Sequence, residues 1–252
     1  MRKIILLDII LGCIILALLA AALHFLLAVK VMADKPSDAL FSLNNKMQPN
    51  HVGEKIIYDV KLGRLYLGQS RFTSLQEVEI NGRKLSAMLL ETKLTRFSDT
   101  EKIYSDPQTL FPVMVERNIL NWFRGEKITE VYDQDNFTVT IVKNKGKNQQ
   151  KMVIKKNEPI HNAVLLPYYI RRIPVLETGQ IIIANLPTRR LEIKLVSQEE
   201  IKVPAGIFQA YHFSSTHKQI DIWISADERR IPVKIEGAGL LGYSVVMKEY
   251  SF

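Results

Sequence analysis

The first 33 residues constrain the chain most, because they contain one apolar stretch that is too long for the core of a small globular protein. Ile9 to Val29 is an apolar run interrupted only by His24. At about 1.5 Å rise per residue, a helix over this run spans roughly 30 Å, which is the thickness of the hydrocarbon core of a bilayer. We therefore predict that residues 1–33 are a signal-anchor with one transmembrane helix between Ile9 and Val29.

The charges and small residues around this run predict its orientation and leave one alternative. Arg2 and Lys3 precede the run, and positive residues favour the cytoplasmic side of a membrane helix. The residues after about position 33 are then expected on the opposite side of the membrane. The alternative is release after signal cleavage near Ala33, although the apolar run is longer than that of an ordinary signal peptide.

The rest of the chain has a different periodicity. Residues 34–52 have the polar, proline-containing composition of a linker. From Gly53 onwards, polar and apolar residues alternate with a period of two, as in half-buried strands. Asn81-Gly82 is a strong signal for a two-residue hairpin turn. Many short strands at this spacing predict a mainly β domain over residues 53–252, built as an antiparallel β-barrel or β-roll.

One segment departs from the strand pattern. Between Ile160 and Ile173 the apolar residues are three and four positions apart, which predicts a short amphipathic helix that covers the β-domain. Two interpretations of this helix stay open. It gates a hydrophobic cavity, or it fills the core beneath an open sheet. The candidate gating residues are Tyr168, Tyr169, Arg171 and Arg172.

The formal net charge is +8, and +6 of it belongs to residues 34–252. Six lysines surround one predicted hairpin and are candidate contacts for anionic head groups. They are Lys143, Lys145, Lys147, Lys151, Lys155 and Lys156. The alternative is that they protect the edge of a soluble hairpin. Nucleic acid is not an expected partner, because the basic residues are spread along the chain and form no arginine-rich helix.

The sequence contains no convincing catalytic, metal-binding or cofactor-binding pattern. The single cysteine, Cys13, lies inside the apolar run, and Gly-x-Ser-x-Gly is absent. The histidines lack His-x-His and His-Glu-x-x-His spacing, so we predict no metal site, no cofactor and no catalytic residues. A hydrolase stays open only if His161, His212 or His217 meets a carboxylate in an open cleft.

Two parts of the sequence resemble a known family. The first is GEKIIYDVKLGRLYLGQSRF, and the second includes IKVPAGIFQAYHF and IDIWISADERRIPVKIEGAGLLGYSVVMKEY. These segments are similar to the bacterial domain-of-unknown-function 3108 family, over about Gly53 to Tyr250. The resemblance implies a β-rich protein of the bacterial cell envelope, and it implies no activity. With the anchor, it predicts a single-pass inner-membrane protein with a periplasmic domain, or a secreted periplasmic protein if cleavage occurs.

Three functions follow as hypotheses. The leading one is a non-enzymatic envelope protein whose β-domain binds an amphipathic ligand, such as a lipid or glycolipid, or an envelope partner. The second is an assembly module that uses exposed strand edges for contacts with proteins. The third is a hydrolase that acts on an envelope polymer.

Overall fold

A computed structural model describes residues 51–121, 125–237 and 242–252. The predicted anchor, with Ile9 and Val29, and nearly all of the predicted linker lie outside the described residues. Within the described ranges, no helix combines the length and the apolar character needed to cross a membrane. The described residues form fifteen strands, one short α-helix and one 3-10 turn.

The first nine strands follow one another without an intervening helix. They are β1 (Lys55–Leu62), β2 (Leu65–Ser74), β3 (Val78–Ile80), β4 (Arg83–Leu94), β5 (Phe97–Ser105), β6 (Pro112–Asn121), β7 (Gly125–Asp133), β8 (Thr138–Lys145) and β9 (Asn148–Lys155). The remaining elements are the helix α1 (Leu166–Arg171), β10 (Ile181–Asn185), β11 (Arg190–Val203), β12 (Gly206–Ser215), the 3-10 turn Thr216–Lys218, β13 (Ile220–Ser225), β14 (Pro232–Gly237) and β15 (Tyr243–Ser251).

All strand pairs are antiparallel, and they form one continuous sheet. Its order is β10-β11-β12-β13-β14-β15-β1-β2-β4-β5-β6-β7-β8-β9, and β3 pairs only with β4. The prediction of a mainly β, antiparallel domain with one short helix is confirmed. The predicted closure into a barrel is not found, because the two terminal strands, β9 and β10, do not pair with each other in the described part of the chain.

Local sequence explains the first strands. In β1, buried residues alternate with partly exposed ones, so Ile56, Tyr58 and Val60 face the core. The predicted hairpin turn at Asn81-Gly82 is present, and both residues have positive φ, at 52° and 75°. This is the backbone that a two-residue hairpin with a type I′ turn requires.

The helix is shorter than the predicted span from Ile160 to Ile173. It begins at Leu166, and the side chain of Asn162 organises the turn that precedes it. Oδ1 of Asn162 accepts hydrogen bonds from the backbone N–H of Val164 at 2.8 Å and of Leu165 at 3.3 Å. Asparagine commonly replaces helical hydrogen bonds in this way, so the apolar spacing before position 166 belongs to a turn.

The core of the described residues has three buried clusters, and α1 contributes to the two larger ones. The first cluster contains residues of strands from β1 to β8 and from β11 to β15, and there the ring of Tyr168 stacks on Phe72 with centroids 4.1 Å apart. The second cluster lies against β10–β13 and includes Leu166, Ile170 and Phe213. Opposite sides of one short helix therefore fill two apolar surfaces, which stabilises the helix despite its length.

Candidate functional site: a basic rim of hairpins

Three hairpins lie at the same end of the sheet. The register pairs Leu62 with Leu65, Leu94 with Phe97, and Lys145 with Asn148. Because successive strands are antiparallel neighbours, alternate connections must lie at one end. The β6–β7 and β14–β15 connections also lie at this end, and they include residues 122–124 and 238–241, which lie outside the described residues. We name this end the basic rim and define it by residues 61–67, 93–98, 120–121 and 143–149.

Charge is distributed unevenly between the two ends of the strands. Residues 61–67, 93–98 and 143–149 contain seven basic residues and no acidic one. At the opposite end, the connections 74–79, 105–110 and 133–136 contain five acidic residues, and the basic residues Arg83, Lys84, Lys155 and Lys156 lie at that end as well. The three hairpins of the basic rim are therefore uniformly basic, and such a surface attracts anionic groups.

Large apolar side chains are exposed among these basic residues. Leu65 is 57% exposed, Tyr66 53% and Leu120 51%. Their exposed positions lie next to the exposed basic residues Arg64 and Lys93. Neighbouring apolar and cationic side chains are complementary to a surface that is both apolar and negatively charged. The head-group region of anionic lipids is such a surface.

An open recess lies in the middle of the basic rim. Its volume is about 420 Å³, and it is lined by residues 93–98 of the β4–β5 hairpin together with Leu120 and Asn121 at the end of β6. The lining combines the cationic groups of Lys93 and Arg96 with the apolar groups of Leu94 and Phe97. A charged head group and part of an acyl chain are the chemical groups that match such a lining.

Gly68 brings two hairpins of the basic rim close together. Its φ is +153°, and a Cβ atom at this position would lie 2.2 Å from the carbonyl oxygen of Lys93. Any side chain here would separate β2 from β4. The close approach of the β1–β2 and β4–β5 hairpins therefore depends on this glycine.

The register divides the six candidate lysines between two ends and two faces. Lys143 and Lys145 share the face of Ile141, and Lys147 lies in the turn at the basic rim. Lys151 and Lys155 lie on the other face, and Lys155 is at the far end of β9. Lys156 follows at that far end, where burial lowers its pKa. Only the first three lysines thus contribute to the basic rim.

The predicted gating residues are held by hydrogen bonds. Arg171 forms a bidentate ion pair with Glu54, with nitrogen–oxygen distances of 2.7 and 2.9 Å, and also donates to the carbonyl of Arg229 at 2.7 Å. Burial opposes the charge of Arg171, but Glu54 raises the pKa of the guanidinium above its ordinary value. The pair connects α1 to the residue just before β1.

Further arginines hold the C-terminal end of the helix. Arg172 donates to the carbonyls of Pro107 at 3.0 Å and Gln108 at 3.1 Å, in the β5–β6 connection. Arg230 donates to the carbonyls of Arg171, Ile173 and Pro174. The bond from Arg230 to Arg171 satisfies a carbonyl group that the helix end leaves without an intrahelical partner. The arrangement is that of a fixed helix covering the core, because opening it would break contacts with three separate segments.

Tyr168 and Tyr169 of the same helix lie in apolar surroundings. The Tyr168 ring is buried, its pKa is raised well above the ordinary value by burial, and its hydroxyl has no hydrogen-bond partner of standard geometry. Tyr169 is partly buried and meets His161 edge to face, with ring centroids 5.1 Å apart. Burial raises the pKa of Tyr169 as well.

The histidines occupy separate environments. His161 accepts a hydrogen bond at Nδ1 from the backbone N–H of Asn185 at 3.1 Å, and burial lowers its pKa to about 4, so the ring is neutral. His217 lies in the 3-10 turn with φ +66°. In the described ranges, no group of three His, Cys, Asp or Glu side chains is placed to hold a metal ion.

His212 is the one candidate histidine that meets carboxylates. Its Nε2 lies 3.1 Å from Oδ1 of Asp221, its Nδ1 lies 3.6 Å from Oε1 of Glu199, and its ring stacks on Trp223 with centroids 4.3 Å apart. Both ring nitrogens thus face acidic groups. Ser197, opposite His212 in the register, directs its hydroxyl to Glu199 instead. The arrangement lacks the contact between hydroxyl and imidazole that activates a serine nucleophile.

Neither of the two buried carboxyl groups in the described residues, Glu54 and Glu101, was predicted from the sequence. Glu101 is 7% exposed and lies 3.7 Å from Arg117, which also forms a two-pronged contact with Asp99. Burial raises the pKa of Glu101 to about 7; Arg117 opposes this shift, and Asp99 and Glu130 add to it. The available signal was its position two residues before the core residue Ile103, which puts it on the core-facing side of β5.

Comparisons with known proteins agree with the β-rich fold. The family model described as "Protein of unknown function (DUF3108)" matches residues 57–243. A β-barrel-like protein of the domain of unknown function DUF1849 from Brucella abortus is similar, with a TM-score of 0.52 and 8% identity, covering 82% of this chain and 99% of that one. A structure from Bacteroides fragilis, described as an exported protein with a YmcC-like fold, has a TM-score of 0.30 and 13% identity, with coverages of 82% and 99%. No curated protein matches the chain.

Proposed function

The chain belongs to the DUF3108 family of proteins of unknown function, and we propose that it is a non-enzymatic envelope protein whose β-domain binds anionic lipid head groups through the basic rim. The apolar run between Ile9 and Val29 supports a single-pass anchor in the inner membrane, with the β-domain in the periplasm. Periplasmic release after cleavage near Ala33 is the alternative form of the same proposal.

One observation carries the proposal. The three described hairpins at one end of the sheet have seven basic residues, no acidic residue, and exposed Leu65 and Tyr66 between them. Each lysine or arginine near an anionic lipid surface contributes about 1 kcal/mol. The exposed apolar side chains add affinity when they enter the boundary between head groups and acyl chains. The recess at Lys93 and Phe97 gives a single head group a place within this surface.

The contacts that hold α1 in place favour the basic rim, rather than a cavity beneath the helix, as the binding site. Arg171 and Arg172 hold α1 to the residue before β1 and to the β5–β6 connection. Tyr168 fills the space above Phe72. A ligand that entered beneath the helix would have to displace a buried ion pair, which is expensive.

A vesicle-binding experiment tests the proposal. The full chain is held in nanodiscs of neutral phosphatidylcholine, and its association with fluorescent vesicles is measured by flotation. We expect association with vesicles that contain phosphatidylglycerol and none with vesicles of phosphatidylcholine alone. Arg64→Glu combined with Lys93→Glu changes two exposed groups of the basic rim and is expected to weaken association at least tenfold, since about 1 kcal/mol is lost per cation.

A matched variant distinguishes binding by a specific surface from an effect of the total net charge. Lys202→Glu combined with Lys248→Glu makes the same change of net charge at positions outside the basic rim. This variant is expected to bind anionic vesicles within about twofold of the unmodified chain, because distant charges are screened. Equal losses in the two variants would refute a binding surface at the basic rim. Tighter association with vesicles that contain lipid A would identify a glycolipid as the preferred head group.

A further inference from the structure

The strand β9 ends the sheet and offers a long free edge. All eight of its residues pair with β8, from Asn148 opposite Lys145 to Lys155 opposite Thr138. No strand pairs with its other side within the described ranges. Every residue of β9 except Ile154 is exposed. A strand in this position presents a row of backbone N–H and C=O groups that another extended chain can pair with.

The strand at the other edge of the sheet, β10, is partly covered. At the end of β10, the backbone carbonyl of Asn185 accepts from the N–H of His161 at 2.7 Å, and its backbone N–H donates to Nδ1 of the same histidine. The Asn185 side chain also donates to the carbonyls of Glu158 and Pro159, at 3.1 and 3.2 Å. The segment between β9 and α1 thus covers part of the β10 edge, and it leaves the β9 edge uncovered in the described structure.

The chemistry of the β9 edge is specific. Residues 143–156 contain six lysines and no acidic residue. Along β9, Lys151 and Lys155 point to one face, and Met152 and Ile154 point to the other. Met152 is 37% exposed, and Ile154 packs at the margin of the first core cluster. A strand added to this edge would therefore meet Lys151 and Lys155, with Val153 between them, on one face. On the other face it would meet Met152 and Ile154, beside Lys143 of β8.

We propose that β9 is a docking edge for an extended segment of a protein partner in which acidic and apolar residues alternate. The backbone of that segment continues the sheet, its acidic residues pair with Lys151 and Lys155, and its apolar residues extend the row of Met152 and Ile154. A second copy of β9 is a poor occupant, since it would place lysines beside lysines. The lysines thus exclude most strands and admit acidic ones.

Peptide binding to the full chain in neutral nanodiscs tests this proposal. The probe is a fluorescent peptide of about eight residues, the length of β9, in which Glu and Val alternate, and binding is measured by anisotropy. The same peptide with every second amide N-methylated keeps its charge but cannot pair as a strand. We expect the N-methylated peptide to bind at least tenfold more weakly, and a peptide of alternating Lys and Val to show no binding.

A charge exchange tests the residues themselves. Lys151→Glu combined with Lys155→Glu, at two exposed positions, is expected to reverse the preference so that the Lys and Val peptide binds. The matched variant Lys202→Glu with Lys248→Glu, and the rim variant Arg64→Glu with Lys93→Glu, are expected to leave peptide binding unchanged. Equal affinity for the N-methylated peptide would show that only charge attracts the probe, and this would overturn the proposal. Absence of binding at millimolar peptide, or self-association through β9 in sedimentation, would overturn it as well.

Discussion

Arg171 in α1 and Glu54, the residue before β1, form a buried ion pair although 117 positions separate them in the sequence. Two guanidinium nitrogens donate to the two carboxylate oxygens, at 2.7 and 2.9 Å. The side chains are 5% and 1% exposed, so water screens the contact very little. The pair connects the only α-helix of the described residues to the strand that pairs with both β15 and β2.

Removal of Arg171 is expected to destabilise the domain strongly. Arg171→Met leaves the Glu54 carboxylate buried without its partner, and such a change costs about 3–5 kcal/mol. Arg83→Met is the control, because it breaks an ion pair of similar length with Asp106 in which Arg83 is 58% exposed. Pairs of that kind contribute about 1 kcal/mol or less. Calorimetric unfolding of the two variants measures the contrast, and equal losses of stability would contradict it.

Two buried tyrosines with different hydrogen bonding give a second contrast. The Tyr58 hydroxyl donates to the carbonyl of Pro232 at 2.9 Å, whereas the neighbouring Tyr168 hydroxyl has no partner of standard geometry. Tyr58→Phe is expected to cost about 1–2 kcal/mol, because it leaves a buried carbonyl without its donor. Tyr168→Phe is expected to be neutral or slightly stabilising. Urea unfolding measures both, and a larger loss for Tyr168→Phe would show that its hydroxyl is bonded in solution.

Much of the fold is predictable from local patterns. The alternation in β1 and the turn at Asn81-Gly82 predict a strand and a hairpin, and both are present. These features depend on neighbouring residues alone. The open ends of the sheet depend on which distant strands pair, as β1 does with β15, and alternation contains no information about partners. The sequence therefore predicts a barrel or a roll without deciding whether the sheet closes, and in the described residues β9 and β10 do not pair.

The candidate site was only partly predictable. Six lysines near one hairpin stand out as a group in the sequence, but the register places Lys143 and Lys151 on opposite faces. The contribution of Arg64 and Lys93 was not predicted, because the basic rim exists only once three hairpins lie at one end of the sheet. Glu101 was not predicted, because strands were recognised from the spacing of their apolar residues. A carboxyl group at a core-facing position of a strand is unusual and departs from that spacing.

The close approach at Gly68 predicts a local requirement for glycine. Gly68→Ala places a Cβ atom 2.2 Å from the carbonyl oxygen of Lys93, at a φ of +153°. Backbone must move to relieve this contact, and we expect a loss of several kcal/mol, as for other forced backbone strain. Gly82→Ala is the control, since its φ is also positive but no atom lies within 4 Å of the added carbon. Thermal unfolding is expected to show the smaller loss, about 1 kcal/mol, for Gly82→Ala.

Glu101 predicts how stability depends on pH. Its pKa in the folded domain is raised by burial from 4.5 to about 7. The folded state therefore holds a proton on Glu101 that the unfolded state has released between these two pH values. By linkage, the free energy of unfolding must fall as pH rises from about 4.5 to about 7. The total effect of this one group is on the order of 3 kcal/mol, because a tenfold difference in proton affinity between the two states corresponds to about 1.4 kcal/mol.

Glu101→Gln isolates this contribution, because glutamine is nearly the same size and does not ionise. The free energy of unfolding of the variant, minus that of the unmodified chain, is expected to increase by on the order of 3 kcal/mol between pH 4.5 and pH 8. Glu91→Gln is the control, since Glu91 is 29% exposed and pairs with the more exposed Arg71. Its difference from the unmodified chain is expected to stay within about 1 kcal/mol over the same range. Denaturant unfolding at several pH values measures both variants. A pH-independent difference for Glu101→Gln would mean that Glu101 is ionised throughout, with Arg117 compensating for its burial.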